Sequence, residues 1–212
     1  MDWQEERFKK WNGWLDIIYS DMTNLLTDKE MFGEVQEIVK NNQSIQRSSL
    51  FHSFLRSAYV ALALNGLRRQ IKTQRDSISL MKLLEEVCCT PEILSKNRFI
   101  ALYDDQDLGE SDFKQFAGTV GSYVDPALVK ADLEELKQKV QKCEEYVDRR
   151  IAHFDKRKVN DIPTFADLDS SIDSLWSILS KYYLLFRATA LLRPVCPYGW
   201  QEIFREAWLP PL

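Results

Sequence analysis

The sequence has few of the residues that make tight turns, and fewer still of those that make metal sites and crosslinks. Seven glycines and seven prolines in 212 residues supply too little turn chemistry for an all-β chain of many short strands. The four cysteines, Cys88, Cys89, Cys143 and Cys196, include no Cys-x-x-Cys pair, and their spacing suits neither a disulfide framework nor a zinc site. Reduced, buried thiols in the cytoplasm are therefore expected. Only two histidines occur, His52 and His153. They fall on different helices without ligand spacing, so neither a metal nor another cofactor is expected. A glycine-rich phosphate loop and a nucleophile elbow are both missing, which disfavours the common NTPase and hydrolase classes.

Long apolar runs are absent too. The segments AYVALAL, from Ala58, and YYLLF, from Tyr182, are too short to cross a bilayer, and no membrane partner is expected. The opening MDWQEERFKKW is charged and lacks an apolar centre, so no signal peptide is expected. A strong excess of one charge is also missing. A net charge of −4 gives no global electrostatic case for nucleic acid, and any such role would rest on a local patch.

What the sequence does contain is helical periodicity. The first helix spans about 3–26, with Phe8, Trp11, Leu15, Ile18 and Met22 at three- and four-residue spacing. Thr27 and Glu30 have the spacing of a capping box, which would open a separate short helix through Met31, Val35 and Ile38. A third helix, capped by Ser44, reaches about residue 73 with an apolar stripe of Phe51, Leu55, Ala58, Leu62 and Asn65. Ser77 opens a fourth, carrying Leu80, Leu83, Leu84 and Val87, and Thr90-Pro91 stops it. Residues 95–124 read as an irregular excursion with short helices near Phe99 and Phe113. Asp125-Pro126 then starts a long helix to about Phe154 or Lys158. Thr164 and Asp167 start the last long helix, to about Ala190. The tail, 193–212, holds a short helix with Trp200, Ile203, Phe204 and Trp208, which would cover the core or a second subunit. The expected architecture is a single all-α domain over 1–212, an up-and-down helical bundle of long antiparallel helices with short accessory helices.

The helix after Asp125 can be phased. Val129, Leu133, Leu136, Val140, Cys143, Val147, Ile151 and Phe154 form one stripe at about 100° per residue. His153 lies about 120° from the centre of that stripe, with Tyr146 and Arg150 on the flank between. It belongs to RRIAHFDKRK, Arg149 to Lys158, a basic run in an acidic protein. Two readings fit this run. The cations complement the partial negative charge of a helix C-terminus, or they frame a ligand or active site. On the third helix, extending the stripe by four residues lands on Arg69, with Arg68 at its edge. An arginine there either snorkels out beyond the core or reaches the cleft that holds His153.

DRRIAHFD, Asp148 to Asp155, on a long penultimate helix resembles the A-H-x-D signature of HEPN proteins, in the branch of abortive-infection proteins of the AbiU type. LRRQIKTQRDSISLMKLLEEV, Leu67 to Val87, is similar to the same branch, where a paired arginine ends one helix and a serine-leucine segment opens the next. The resemblance covers about 51–185. It implies an all-α up-and-down bundle that often forms a homodimer. In catalytic members it implies a metal-independent ribonuclease site at the dimer cleft, whose motif is an arginine, four to six residues, then histidine. His153 matches the histidine. The positions for the arginine hold Tyr146, Val147 and Asp148, a departure from the pattern.

Such chemistry requires a base for the ribose 2′-hydroxyl and a cation for the phosphate. On the resemblance, His153 is the base. Arg149 stands four positions earlier on nearly the same helical face. Asp155 would orient the loop or the histidine, and Arg150, Arg69 and Arg68 are candidates for binding phosphate or nucleotide. The expected function is a HEPN-like protein that binds RNA, or a ribonuclease, in phage defence or stress response. The missing arginine and the acidic total favour an alternative, a non-catalytic helical dimer that binds a protein or nucleotide partner.

Overall fold

Recurrence of apolar residues every three or four positions dictates helices along almost the whole chain, and helices are what the computed structural model contains. It describes residues 2–118, 120–147 and 162–205. The first helix, α1, spans Trp3–Asn41, with the Asp2 side chain accepting from the Gln4 N–H at its start. Its buried stripe is Trp11, Leu15, Ile18, Met22, Leu25 and Leu26. The break expected at Thr27 does not occur. The segment Thr27-Asp28-Lys29-Glu30 contains no glycine or proline, and its side chains engage other elements instead of capping. Lys29 donates to Asp173 at 2.8 Å, and Glu30 accepts from the Cys196 N–H at 3.0 Å.

Helix α2, Leu50–Ile71, is capped by Ser49 rather than by Ser44. His52 also ties its start to the preceding loop, its Nε2 lying 2.8 Å from the Ile45 carbonyl. The face that α2 buries differs from the expected stripe. Tyr59, Ala63, Leu64, Gly66, Leu67, Gln70 and Ile71 are buried, whereas Phe51 and Leu62 are 49% and 57% exposed. The helix is apolar on two sides, and periodicity alone does not say which side a neighbour covers. Gly66 decides it, because a Cβ there would stand 2.9 Å from Leu25 Cδ1 of α1. The backbone of α2 therefore approaches α1 on the face that carries Gly66.

Helix α3, Leu80–Cys89, is capped by Ser79 and followed by a 3₁₀ turn, Pro91–Ile93. The excursion over 95–124 carries the two short helices expected near Phe99 and Phe113, α4, Lys96–Ile100, and α5, Gln106–Ala117. Phe99, Phe113 and Phe116 pack there with ring centroids 5.5 to 6.4 Å apart. Asp125 caps α6, Pro126–Tyr146, accepting from the Ala127 N–H with proline at the first helical position. Helix α7, Phe165–Arg187, opens on a capping box of Thr164 and Asp167, as the sequence indicates. Val129, Leu133, Leu136, Val140, Cys143 and Val147 are all buried, so the phasing of α6 holds through Val147. Ile151 and Phe154 lie outside the described residues.

Cross-helix pairs fix the directions. Asp21 meets Arg69 while Phe32 stacks on Tyr59, so α1 and α2 run antiparallel. Phe8 stacks on Phe186 and Lys29 meets Asp173, so α1 and α7 do as well. Asp132 meets Lys181 and Lys142 meets Asp167, which makes α6 and α7 antiparallel. The result is an all-α helical bundle whose buried side chains form one cluster drawing on each of α1 to α7 among the described residues. The described residues form no β-strand, only an isolated bridge between Ser95 and Tyr123. Among them no helix is long and apolar enough to cross a membrane. The tail lies along α1 through Cys196 on Glu30 and Trp200 Nε1 on Glu34 at 2.9 Å. Its 3₁₀ turn, Trp200–Arg205, buries no residue, and Trp208 lies outside the described residues.

The two faces of α2 and the core of α7 respond differently to truncation. Leu175, fully buried on α7, should lose about 2–5 kcal/mol on replacement by alanine. Leu62→Ala on the outward face of α2 should stay within about 0.5 kcal/mol. Urea unfolding of both variants measures the difference, and equal losses would contradict the placement of α2.

Candidate functional site

Of the residues named from the sequence, Arg149, Arg150, His153 and Asp155 lie outside the described residues. Arg68 and Arg69 are described, at the C-terminal end of α2. Arg69 does not sit alone on an apolar face. Its Nε and Nη2 both donate to Asp21 of α1, at 3.0 and 2.7 Å to Oδ1. Gln70, itself buried, donates to the other Asp21 oxygen at 2.6 Å and accepts the Leu80 N–H at 3.2 Å. One carboxylate thereby joins α1 to α2, and Gln70 extends the connection to α3. Arg69 is thus in part a structural ion pair, with Arg68 and Lys72 beside it around a cavity of about 470 Å³ that also takes in Asn65 and Asp28. Burial pushes the Asp28 carboxyl above its ordinary range, and the nearby positive charge of Arg69 only partly opposes this.

A second cavity, about 600 Å³, is bounded by the two described ends of the segment that carries the A-H-x-D sequence. Tyr146, in the last turn of α6, lines it on one side, and Ile162, Pro163 and Thr164 line it where the chain returns. Arg56, Ser53 and Ser57 of α2 and Phe165 of α7 complete the polar and aromatic part of the wall. Arg56 and Arg69 are thirteen residues apart, which separates them by about 20 Å along the helix and by more than a third of a turn around it. The two cavities therefore open on different flanks of α2, and Arg69 belongs to the first of them.

The position of Phe165 is held from several directions. Thr164 Oγ1 accepts the Asp167 N–H at 3.2 Å, and Asp167 Oδ2 accepts the Thr164 N–H at 2.7 Å. The same carboxylate receives Lys142 of α6 at 2.9 Å, which binds the last turns of α6 to the first turn of α7. These donors, the Thr164 backbone N–H first among them, hold the Asp167 carboxyl down to about 2. Behind Phe165 stands a stack of rings, with Phe32 5.6 Å from it and Tyr59 4.1 Å from Phe32. The Tyr59 hydroxyl is held well above its ordinary range by burial and by the Asp169 carboxylate it faces.

Arg56 and Phe165 were not among the residues expected from the sequence. One signal was available for Arg56. Between Glu37 and Asp76 the chain contains seven cations (Lys40, Arg47, Arg56, Arg68, Arg69, Lys72 and Arg75) and no carboxylate. The net charge of −4 is the difference between +7 on this stretch and −11 elsewhere. Phe165 gave no such signal, because only the packing of α7 beside α2 reveals what its ring faces. The described residues contain no group of three or more His, Cys, Asp or Glu placed to hold a metal ion.

Comparison with known proteins adds one finding. Residues 19–205 match the model of the HEPN family described as AbiU2. No curated protein and no solved structure matches the chain.

The low titration of Asp167 carries a pH dependence. Its folded value of about 2 lies below its ordinary value of 3.8, so its contribution to stability is fully present above about pH 4 and is lost as pH falls through 2. Urea midpoints measured between pH 5 and 2 should fall for the native chain. Asp167→Asn should be less stable at pH 5 and show a shallower acid-side decline.

Proposed function

The chain belongs to the AbiU2 family of HEPN proteins, and on that premise we propose that it is a single-domain RNA-binding protein with metal-independent ribonuclease chemistry centred on His153. The observation that carries this reading is the carboxylate-free basic stretch 38–75, which supplies the local positive patch that an acidic protein needs to attract a polyanion. Helix α2 presents that patch on two flanks, Arg56 on one and Arg68, Arg69 and Lys72 on the other. The cavity containing Arg56 adjoins the residues where the His153 segment begins and ends.

In the proposed reaction His153 accepts the proton of a ribose 2′-hydroxyl, and the 2′-oxygen attacks the adjacent phosphorus. The P–O5′ bond breaks, and the proton held by the imidazole passes to the departing 5′-oxygen. Arg149 or Arg150 stabilises the charge on the phosphate, and Asp155 orients the histidine. Val147, one of the positions where the family motif places arginine, is only 2% exposed within the core stripe. A cation at that position would be buried without a partner, so the positive charge has to come from another position. The protein acts in phage defence or stress response, as a homodimer in the cytoplasm. All four cysteines are unpaired, which suits a reducing compartment.

A second reading has its own support. Leu50, Phe51, Phe54 and Leu62 on the outward side of α2 are 91%, 49%, 64% and 57% exposed, and exposed apolar surface of this kind marks an interaction site. Together with the absent motif arginine it favours a non-catalytic helical dimer serving as a protein- or nucleotide-binding module.

Cleavage of an end-labelled single-stranded RNA without added metal separates the two. On the first reading, His153→Ala lowers the cleavage rate by about 100-fold or more while RNA binding, followed by fluorescence anisotropy, is retained. Cleavage that persists unchanged in His153→Ala would remove the assignment of the base. Binding without cleavage in the native chain would favour the second reading.

A further inference from the structure

We propose that the cavity between α2, the end of α6 and the start of α7 is a nucleotide subsite for single-stranded RNA, with a base stacked on Phe165 and a phosphate held by Arg56. This rests on the RNA-binding reading above and adds to it a defined place where one nucleotide is recognised.

Three independent features converge there. The cavity, about 600 Å³, is in the range that accepts a small ligand the size of a nucleotide. One wall has an aromatic platform that is already organised. Phe165 is 40% exposed and lines the cavity, while Phe32 and Tyr59 back it at interplanar angles of 22° and 15°. A ring supported in this way loses little freedom when a base stacks on it, and every base has a π-face to offer. Helix α2 adds Arg56 to the same lining, with Ser53 and Ser57 one turn and one residue away. Arg56 has no ion-pair partner among the described residues, in contrast to Arg69, which is engaged by Asp21. A cation that no described carboxylate neutralises is available to a phosphate. The hydroxyls of Ser53 and Ser57, both exposed, furnish donors and acceptors for a ribose or a base edge.

The arrangement selects against a duplex. Stacking on Phe165 requires a base released from its own stack, which single-stranded RNA provides and a duplex does not. The start of α7 is held by several contacts. The clamp of Thr164 and Lys142 on Asp167 fixes the ring relative to α6, so the platform is set before the ligand arrives.

The test uses the full chain with a fluorescein-labelled single-stranded oligoribonucleotide, a duplex of the same sequence, and a 5-iodouridine-substituted strand for photocrosslinking. Phe165→Ala should weaken single-strand binding by about 10-fold or more, with Phe165→Trp retaining affinity. Arg56→Ala should reduce the slope of log affinity against log salt by about 0.7, the effect of one phosphate contact on a single strand, and Arg56→Lys should restore it. The cross-linked peptide from the native chain should contain Phe165, a readout that needs no variant and survives if Phe165→Ala does not fold. Unchanged affinity and salt slope in both alanine variants, with cross-links elsewhere, would overturn the subsite and leave RNA binding intact. If the native chain binds neither strand form at low salt, the RNA-binding reading fails and the subsite fails with it.

Discussion

The burial of α7 is the constraint on which the rest of the molecule depends. Leu168, Ile172, Leu175, Leu179, Tyr182 and Phe186 recur along it at intervals of four and three, and all are buried. Trp176, Ile178 and Leu185 widen the buried arc until it takes four neighbours, α1, α2, α4 and α6, to cover it. A helix that is apolar over so much of its circumference must lie inside a bundle. Ser171 is fully buried on this helix and satisfied, donating to the carbonyl of Lys139 on α6 or of Asp167 one turn back. With α7 enclosed, the position of its first residue, Phe165, follows.

Around that apolar centre the helices are joined by carboxylates that each serve more than one donor. Glu86 of α3 accepts from Trp11 Nε1 at 2.8 Å and from Lys10 at 3.0 Å, with Arg7 at 3.4 Å. Burial raises that carboxyl, but these donors outweigh it and hold it below the ordinary range. Asp132 of α6 takes both Lys181 and the Tyr182 hydroxyl of α7, at 2.6 and 2.7 Å. Asp21 does the same for Arg69 and Gln70. Shared acceptors of this kind fix register between helices more than they add stability, since exposed pairs taken singly contribute little. Their distribution also has an electrostatic consequence. Glu86, Asp132 and Asp167 lie on α3, α6 and α7, and Asp21 on α1, which leaves α2 with cations only.

That segregation connects the fold to the proposed chemistry. A chain with net charge −4 would repel a polyanion if its charges were mixed evenly, and the proposed RNA binding needs one sign to be concentrated locally. Arg56 and Arg69 are on the same helix and yet differ in availability, because Asp21 projects from α1 beside one and no described carboxylate reaches the other. Arg56, which no described carboxylate pairs, also lines one cavity with Phe165, Tyr146 and Ile162.

The fold class was legible in the sequence because helix-forming periodicity and capping are local. Asp125-Pro126 and Thr164 with Asp167 act within a few residues of themselves, and both start helices where expected. The stripe of α6 was legible for the same reason, through Val147. Where a local signal competed with a distant partner, the partner prevailed. Thr27 and Glu30 have capping spacing, but Glu30 binds Cys196 from the far end of the chain and α1 continues unbroken. The face that α2 buries, the ion pair that engages Arg69 and the ring that Phe165 offers to a cavity were all decided by tertiary structure. The sequence by itself determined where helices start, how they are phased and where charge is concentrated, since these depend on residues a turn or less apart. Which of two apolar faces is covered, and which of several arginines remains free, depends on contacts between residues dozens of positions apart, and only the packed bundle brings those together.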